Sequence, residues 1–268
     1  MSNELKISVG QYSDKGRKTV NQDFHGVYIP KEPQLSSKGI AIALADGISS
    51  SEVSHIASQS AVTGFLDDYY CTSDSWSVKK SAERVLSAVN AWLHSQNQQG
   101  QSRYDKDKGY VCTLSAMVIK STTAHIFHVG DARIYRLQGS ALEQLTTDHR
   151  VQISQEQSYL GRALGIHPQV EIDYQTQPVE QGDVFLFATD GVYEHVESGF
   201  MVRTLRDHAN ELDEAAKLIA DAAYERGSAD NLTVQIVRID ALANAAANEV
   251  YQQLSTLPLP PILEARAD

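Results

Sequence analysis

The sequence predicts an α+β domain of two packed sheets with helices outside them. Three observations lead there. Strand-like apolar runs dominate the middle of the chain. Two amphipathic helix patterns fall as a pair ahead of those runs. Helices and strands do not alternate strictly, as a parallel βαβ sheet would require.

Taken in order, Lys6 to Tyr12 and Gly39 to Ala45 read as strands. Val53, Ile56, Ala57, Ala61, Phe65 and Tyr69 then recur mostly at three- and four-residue steps, which gives one apolar helix face. Val78, Ala82, Val85, Leu86, Val89, Trp92 and Leu93 give a second. Strands return at Thr113 to Lys120, Ala124 to Val129 and Arg133 to Leu137. A Gln138-Gly139-Ser140 turn leads on to Leu142 to Leu145, the pattern of a hairpin. Val184 to Ala188 and Leu232 to Ile239 are later strands, with a helix pattern from Glu211 to Arg226 between them. No internal repeat at a fixed period is present.

The 268 residues suit one large domain or two small ones, with a core that needs no staples. The boundary falls near the end, with a globular domain over 1–240 and a tail over 241–268. Ala241 to Leu254 is Ala-rich and helical in pattern, and Leu257-Pro258-Leu259-Pro260-Pro261 reads as an extended linker. The net charge is −11, from 34 Asp and Glu against 23 Lys and Arg. That balance disfavours nucleic acid, which needs clustered cations, and is compatible with binding metal cations. Cys71 and Cys112 make no disulfide framework and read as small core side chains in a reducing compartment. The start MSNELKISVG lacks the pattern of a signal peptide, and no apolar run approaches a membrane span. A cytoplasmic protein with no membrane partner is expected.

The informative feature is an Asp abutting an apolar run, four times over. Asp46 lies in ALADG, Asp131 in HVGD, Asp190 in FATDG and Asp230 in GSADN, just before a strand. A buried strand fixes its backbone, so a carboxylate at its end is held in place while facing a cleft. Several carboxylates converging there would repel one another unless cations compensate. Hard oxygen ligands suit Mg²⁺ and Mn²⁺. Gly after Asp46 and after Asp190 permits close backbone approach, so the Gly47 carbonyl is available as a ligand. Any single Asp-Gly is also an ordinary turn.

Other chemistries lack their residues. The nine histidines are scattered without an HExxH, and no CxxC is present, which argues against zinc. No GxSxG elbow and no Walker loop occurs.

Seven segments then carry a resemblance in their order along the chain. They are Ser13-Asp14 through Val20-Asn21-Gln22-Asp23, Ala45-Asp46-Gly47, Val129-Gly130-Asp131-Ala132-Arg133-Ile134-Tyr135, Leu145-Thr146-Thr147-Asp148-His149, Arg162-Ala163-Leu164-Gly165, Ala188-Thr189-Asp190-Gly191 and Gly227-Ser228-Ala229-Asp230-Asn231-Leu232-Thr233-Val234. Together they resemble the metal-dependent (type 2C) protein phosphatases, in their bacterial branch, over about residues 6–240. The resemblance implies a four-layer α-β-β-α sandwich of two antiparallel sheets flanked by helix pairs. It implies a serine/threonine phosphatase that uses metal-activated water and forms no phosphoenzyme. By the same resemblance Asp46 bridges two divalent cations, Mn²⁺ or Mg²⁺, and the Gly47 carbonyl binds one of them. Asp190 and Asp230 complete the other, and Asp23 orients water from the outer shell. Asp131 matches a third, weaker metal position. The implied partner is a phosphorylated protein, a cognate Ser/Thr kinase among the candidates, because some bacterial relatives are fused to such a kinase through a proline-containing linker.

Three departures from the family pattern stand out. Where the family usually has a phosphate-holding Arg, this chain has Lys18 with Arg17 beside it, and either side chain is a candidate. Ile48-Ser49-Ser50-Ser51 replaces a Gly-rich, often His-containing stretch, so no leaving-group acid is assigned. Arg150 to Tyr159 is short where relatives carry a longer flap, which predicts a shortened flap and an open cleft. Rival readings are a non-catalytic module of the same fold, a small-molecule phosphohydrolase, and an acidic domain whose Asp-Gly pairs are only turns.

Overall fold

The computed structural model describes residues 4–99, 105, 108–152 and 158–243. Strands β1 (Lys6–Asp14), β2 (Asp23–Tyr28) and β3 (Ile40–Asp46) come first, with a short helix α1 (Gln34–Lys38) before β3. The helix pair α2 (Ser54–Cys71) and α3 (Val78–Asn97) follows. Next come β4 (Leu114–Lys120), β5 (Thr123–Val129), β6 (Arg133–Gln138), β7 (Ala141–Gln144), β8 (Arg150–Gln152) and β9 (Ser158–Leu160). The chain continues through β10 (Asp173–Pro178), β11 (Val184–Ala188), α4 (Asp190–Tyr193), α5 (Ser198–Asp207), α6 (Leu212–Glu225) and β12 (Leu232–Ala241).

The strands form two five-stranded antiparallel sheets, ordered β1-β12-β11-β6-β7 and β10-β5-β4-β3-β2, while β8 and β9 pair only with each other. Three apolar cores lie between four layers. One joins α2 and α3 to the second sheet, one joins α4, α5 and α6 to the first, and the third lies between the sheets. The α-β-β-α sandwich is therefore borne out.

Strand β3 shows how the sequence builds these layers. Its apolar run does not alternate with polar residues because both of its faces are buried. Size alternates instead. Ile40, Ile42 and Leu44 enter the core between the sheets, while Ala41, Ala43 and Ala45 lie in the core shared with the helices. Small side chains on that face let the helices approach closely, and each fully buried Ile or Leu contributes about 1.5–3 kcal/mol. Helix α3 starts at Ser77, whose hydroxyl accepts the Lys80 N–H as an N-cap. The turn from β6 to β7 is Gly139-Ser140, with Gly139 at φ +53°, the left-handed conformation that short hairpins require.

Strands β2 and β10 carry no apolar pattern, which is why periodicity does not reveal them. β2 is mostly half-buried, and β10 is a polar edge strand. Cys112 is buried as expected, but Cys71, the last residue of α2, is exposed. The predicted tail begins differently, since Ala241 ends β12. The rest of the expected helix and the proline segment lie outside the described residues. Among the described residues no helix is long and apolar enough to cross a membrane.

Candidate metal centre

All four strand-end aspartates reach one edge of the sandwich. Asp46 is the last residue of β3, Asp131 follows β5, Asp190 opens α4 just after β11, and Asp230 precedes β12. Together with Gly47 and Arg150 they line a cavity of about 520 Å³. Each sheet contributes, because β3 and β5 belong to one and β11 and β12 to the other.

Asp23 stands opposite Asp46 in the β2–β3 ladder and is 6% exposed. Its Oδ2 accepts from Thr233 Oγ1 at 2.6 Å and from Thr189 Oγ1 at 3.1 Å, while its buried Oδ1 has no partner. Behind Thr233 the chain of hydroxyls continues through Ser13 Oγ at 2.8 Å, which accepts from Asn21 Nδ2 at 2.8 Å. Burial pushes the Asp23 carboxyl up to about 6, against the lowering effect of Thr233, the neighbouring Asp46 and Thr189. Asp46 is raised well above the usual carboxylate range by burial and then by repulsion from Asp23, Asp190, Asp131 and Asp230. Asp190 is pushed up to about 7 by burial and by Asp131 and Asp230. This is the signature of an anionic cluster in want of cations.

The motif residues around the aspartates hold backbone in place. Gln22 N–H donates to Asn231 Oδ1 at 2.9 Å, and Asn231 Nδ2 donates to the Lys15 and Val20 carbonyls at 2.9 and 3.0 Å. Gln22 Nε2 reaches the Ser51 carbonyl and Ser54 Oγ, both at 2.7 Å. The loop before β2 is thus tied to the start of β12 and to the segment after Gly47. A Cβ on Gly47 would stand 2.7 Å from the Ser54 carbonyl oxygen and 2.9 Å from that of Gln22. One on Gly191 would lie 2.1 Å from the Asn231 carbonyl oxygen. Close backbone approach explains both glycines.

The two phosphate-binding candidates part company. Lys18 Nζ donates to Asp230 Oδ1 and, at 2.6 Å, to Ser49 Oγ, so it stands at the cleft. Arg17 turns the other way. Its guanidinium donates to the Ser228 and Tyr224 carbonyls and stacks over the Tyr224 ring at 4.2 Å. Of the two candidates the sequence offered, Lys18 therefore faces the cleft, while backbone acceptors and a ring engage Arg17.

Sequence reasoning missed Arg150. Its Nε donates to Asp131 Oδ2 at 2.6 Å, Nη2 to Asp190 Oδ2 at 2.8 Å and Nη1 to Glu194 Oε1 at 2.5 Å. The one signal in the sequence was a cation directly after Asp148-His149. Those two residues are braces. Asp148 receives Arg133 in a fork, with Nε at 3.0 Å and Nη2 at 2.7 Å. His149 Nδ1 accepts the Gly130 N–H at 3.0 Å, and its backbone N–H donates to the Gly130 carbonyl at 2.7 Å. They fix the turn that carries Asp131.

The donor set fits divalent cations with hard ligands: the carboxylates of Asp46, Asp131, Asp190 and Asp230 and the Gly47 carbonyl line the cavity, with Asp23 behind Asp46 in the ladder. Among the described residues, no three His, Cys, Asp or Glu side chains draw close enough to enclose an ion unaided. Mg²⁺ in particular keeps several waters, so a sparse protein shell is the arrangement it favours.

The sequence pattern of protein phosphatase 2C matches residues 11–250. The chain belongs to the protein phosphatase 2C family. It is 30% identical to the serine/threonine phosphatase stp of Listeria monocytogenes over 254 residues, covering 85% of this chain and 94% of that protein. The S. agalactiae serine/threonine phosphatase superposes with a TM-score of 0.75 at 24% identity, over 88% of this chain and all (100%) of the other. The catalytic domain of the phosphatase PstP, solved with two manganese ions, superposes with a TM-score of 0.70 at 23% identity, over 88% and 99%. These structures share the phosphatase 2C sandwich described above.

Proposed function

We propose that the Asp46 cleft is the active site of a metal-dependent serine/threonine protein phosphatase, which hydrolyses phosphoserine and phosphothreonine monoesters. The observation that carries this reading is the convergence of Asp23, Asp46, Asp190 and Asp230 from both sheets, with Asp46 half-buried at the cleft among the others' charges. Asp46, the Gly47 carbonyl, Asp190 and Asp230 would hold two cations, Mn²⁺ or Mg²⁺. Bound there, such ions supply Lewis acidity toward phosphoryl oxygens and water that is acidic at neutral pH.

The chain's own side chains do the rest. Asp23 spends one oxygen on Thr233 and Thr189 and stands opposite Asp46 in the ladder, behind the cleft, where its carboxyl can steady the charge that Asp46 carries. Lys18 supplies a cation beside Asp230 for an oxygen of the incoming phosphate. An ammonium neutralises that charge without the two-pronged grip of a guanidinium. The site has no histidine among its lining residues to protonate the leaving alkoxide, so that proton comes from water.

The short β8–β9 pair at the rim supports an extended phosphorylated segment of a protein as substrate, a phosphorylated kinase among the candidates. Two free cysteines fit a reducing compartment, and we assign the enzyme to the cytoplasm on that ground.

The test is hydrolysis of p-nitrophenyl phosphate and of a phosphothreonine peptide, in EDTA, Mg²⁺ or Mn²⁺, by wild type and Asp190→Asn. Metal-dependent turnover lost in the variant supports the assignment. A folded wild type inert with every metal would mean a binding module. Turnover of the aryl phosphate without the peptide would mean a small-molecule phosphohydrolase.

A further inference from the structure

Arg150 lies in the cleft with three carboxylates around it, and none of the roles given above uses it. Its guanidinium gives one N–H to each of Asp131, Asp190 and Glu194, at 2.5–2.8 Å. Asp131 is the residue that the sequence matched to a third, weaker metal position. We propose that Arg150 is a built-in cation that takes the place of a third metal ion at Asp131, so that the enzyme works with two metals. The inference rests on the two-metal reading above.

Three features carry it. The first is occupancy of ligand atoms. Arg150 engages Asp131 Oδ2 and Asp190 Oδ2 from the space between those two residues, where a third ion would sit, while Asp190 keeps its other oxygen for the two-metal set, and Asp131 is only 10% exposed. A divalent ion binds oxygen at about 2.0–2.6 Å, which leaves no room for it beside a guanidinium on the same atoms.

The second is anchoring. Asp190 opens the four-residue helix α4 and Glu194 caps its end, so both face Arg150 from one turn of helix. Asp131 comes from the turn after β5, itself fixed by His149. Three supports on two elements hold the fork in one orientation, whereas a lysine would offer only a point charge.

The third is charge. Asp23, Asp46, Asp131, Asp190, Glu194 and Asp230 are six carboxylates, and Lys18 and Arg150 are two cations bonded to four of them. The difference is four negative charges, which two divalent ions match. With Arg150 in place, charge balance calls for no third ion.

Equilibrium dialysis against Mn²⁺ alone tests the assignment on the full chain, with circular dichroism to verify folding. Wild type is expected to take up two manganese ions, Arg150→Ala and Arg150→Gln three, and Asp131→Asn still two. A third manganese on wild type that disappears in Asp131→Asn overturns the proposal, as does an unchanged count of two in both folded Arg150 variants. The first of these results, a third manganese on wild type that disappears in Asp131→Asn, overturns the proposal even if the Arg150 variants fail to fold. Failure of the phosphatase reading looks different. Two bound manganese ions with no hydrolysis of aryl phosphate or phosphopeptide would sink that reading and leave Arg150 in its place, and wild type that binds no manganese would sink both.

Discussion

Thr233 Oγ1 donates to Asp23 Oδ2 at 2.6 Å, a bond from the first sheet of the sandwich to the second. It aims the unpartnered Oδ1 and sets how basic the carboxylate is. Thr233→Val keeps the shape and removes the donor. Partners of this kind typically matter by 10–100-fold, so the Mn²⁺ dependence of aryl phosphate hydrolysis should weaken by about that factor. Thr233→Ser should restore most of it. A valine variant with unchanged metal dependence would remove Thr233 from the site.

Stability should respond to pH and metal together. Asp190 titrates near 7 in the fold against 3.8 for an ordinary aspartate. Between those values the folded state holds a proton that the unfolded chain has released. The contribution of this group is therefore fully present below about pH 4 and is lost as pH rises through about 7. Metal-free Asp190→Asn should match wild type in Tm near pH 4 and exceed it by about 5 °C at pH 7.5. Mn²⁺ at a hundred times its Kd should raise the wild-type Tm by about 5–10 °C and the variant's by far less. Calorimetric scans at the two pH values, with and without Mn²⁺, check both signs.

Lys18 and Arg17 are adjacent and should behave differently. Lys18→Ala removes the cation beside Asp230 and should raise KM for aryl phosphate about tenfold or more, the scale of a hydrogen bond to a charged group. Arg17→Ala removes two bonds to backbone carbonyls and the stack on Tyr224. It should lower Tm by about 2–4 °C with KM unchanged. Steady-state kinetics beside thermal melts separate the two, and a KM effect from Arg17 would reverse the assignment.

A short rim should discriminate poorly. β8 and β9 span three residues each, so few side chains are placed to read the residues flanking a phosphate. Unrelated phosphothreonine peptides are expected to agree in kcat/KM within about tenfold, or 1.4 kcal/mol. Hundredfold preferences across a small peptide panel would contradict this.

Much of this was legible in the residues. The apolar strands and the α2, α3 and α6 helices follow from periodicity, because their buried faces are long and unbroken. Asp46, Asp131, Asp190 and Asp230 announced themselves by abutting such runs. What escaped was short, polar or decided by direction: the ten-residue helix α5 buries only Met201, Val202, Thr204 and Leu205, too few positions to show a long apolar face. β2 and β10 have little apolar surface to betray them. Arg17 and Lys18 look equivalent in a row of letters, and only the placement of the Ser228 and Tyr224 carbonyls tells them apart. Arg150 escaped because its three partners come from sequence positions 19, 40 and 44 residues away, which no local pattern joins.

The cleft draws Asp46 from one sheet and Asp190 from the other, so the spacer between the sheets acts as a ruler for the chemistry. A slide of one residue along a strand is about 3.3 Å, while metal–ligand distances tolerate about 0.2 Å. Met117 and Val237, buried between the sheets and away from the cleft's lining, set that ruler along with their neighbours. Evolution cannot repack this layer for stability alone, because each change in its thickness or offset is also a change in the grip on the ions.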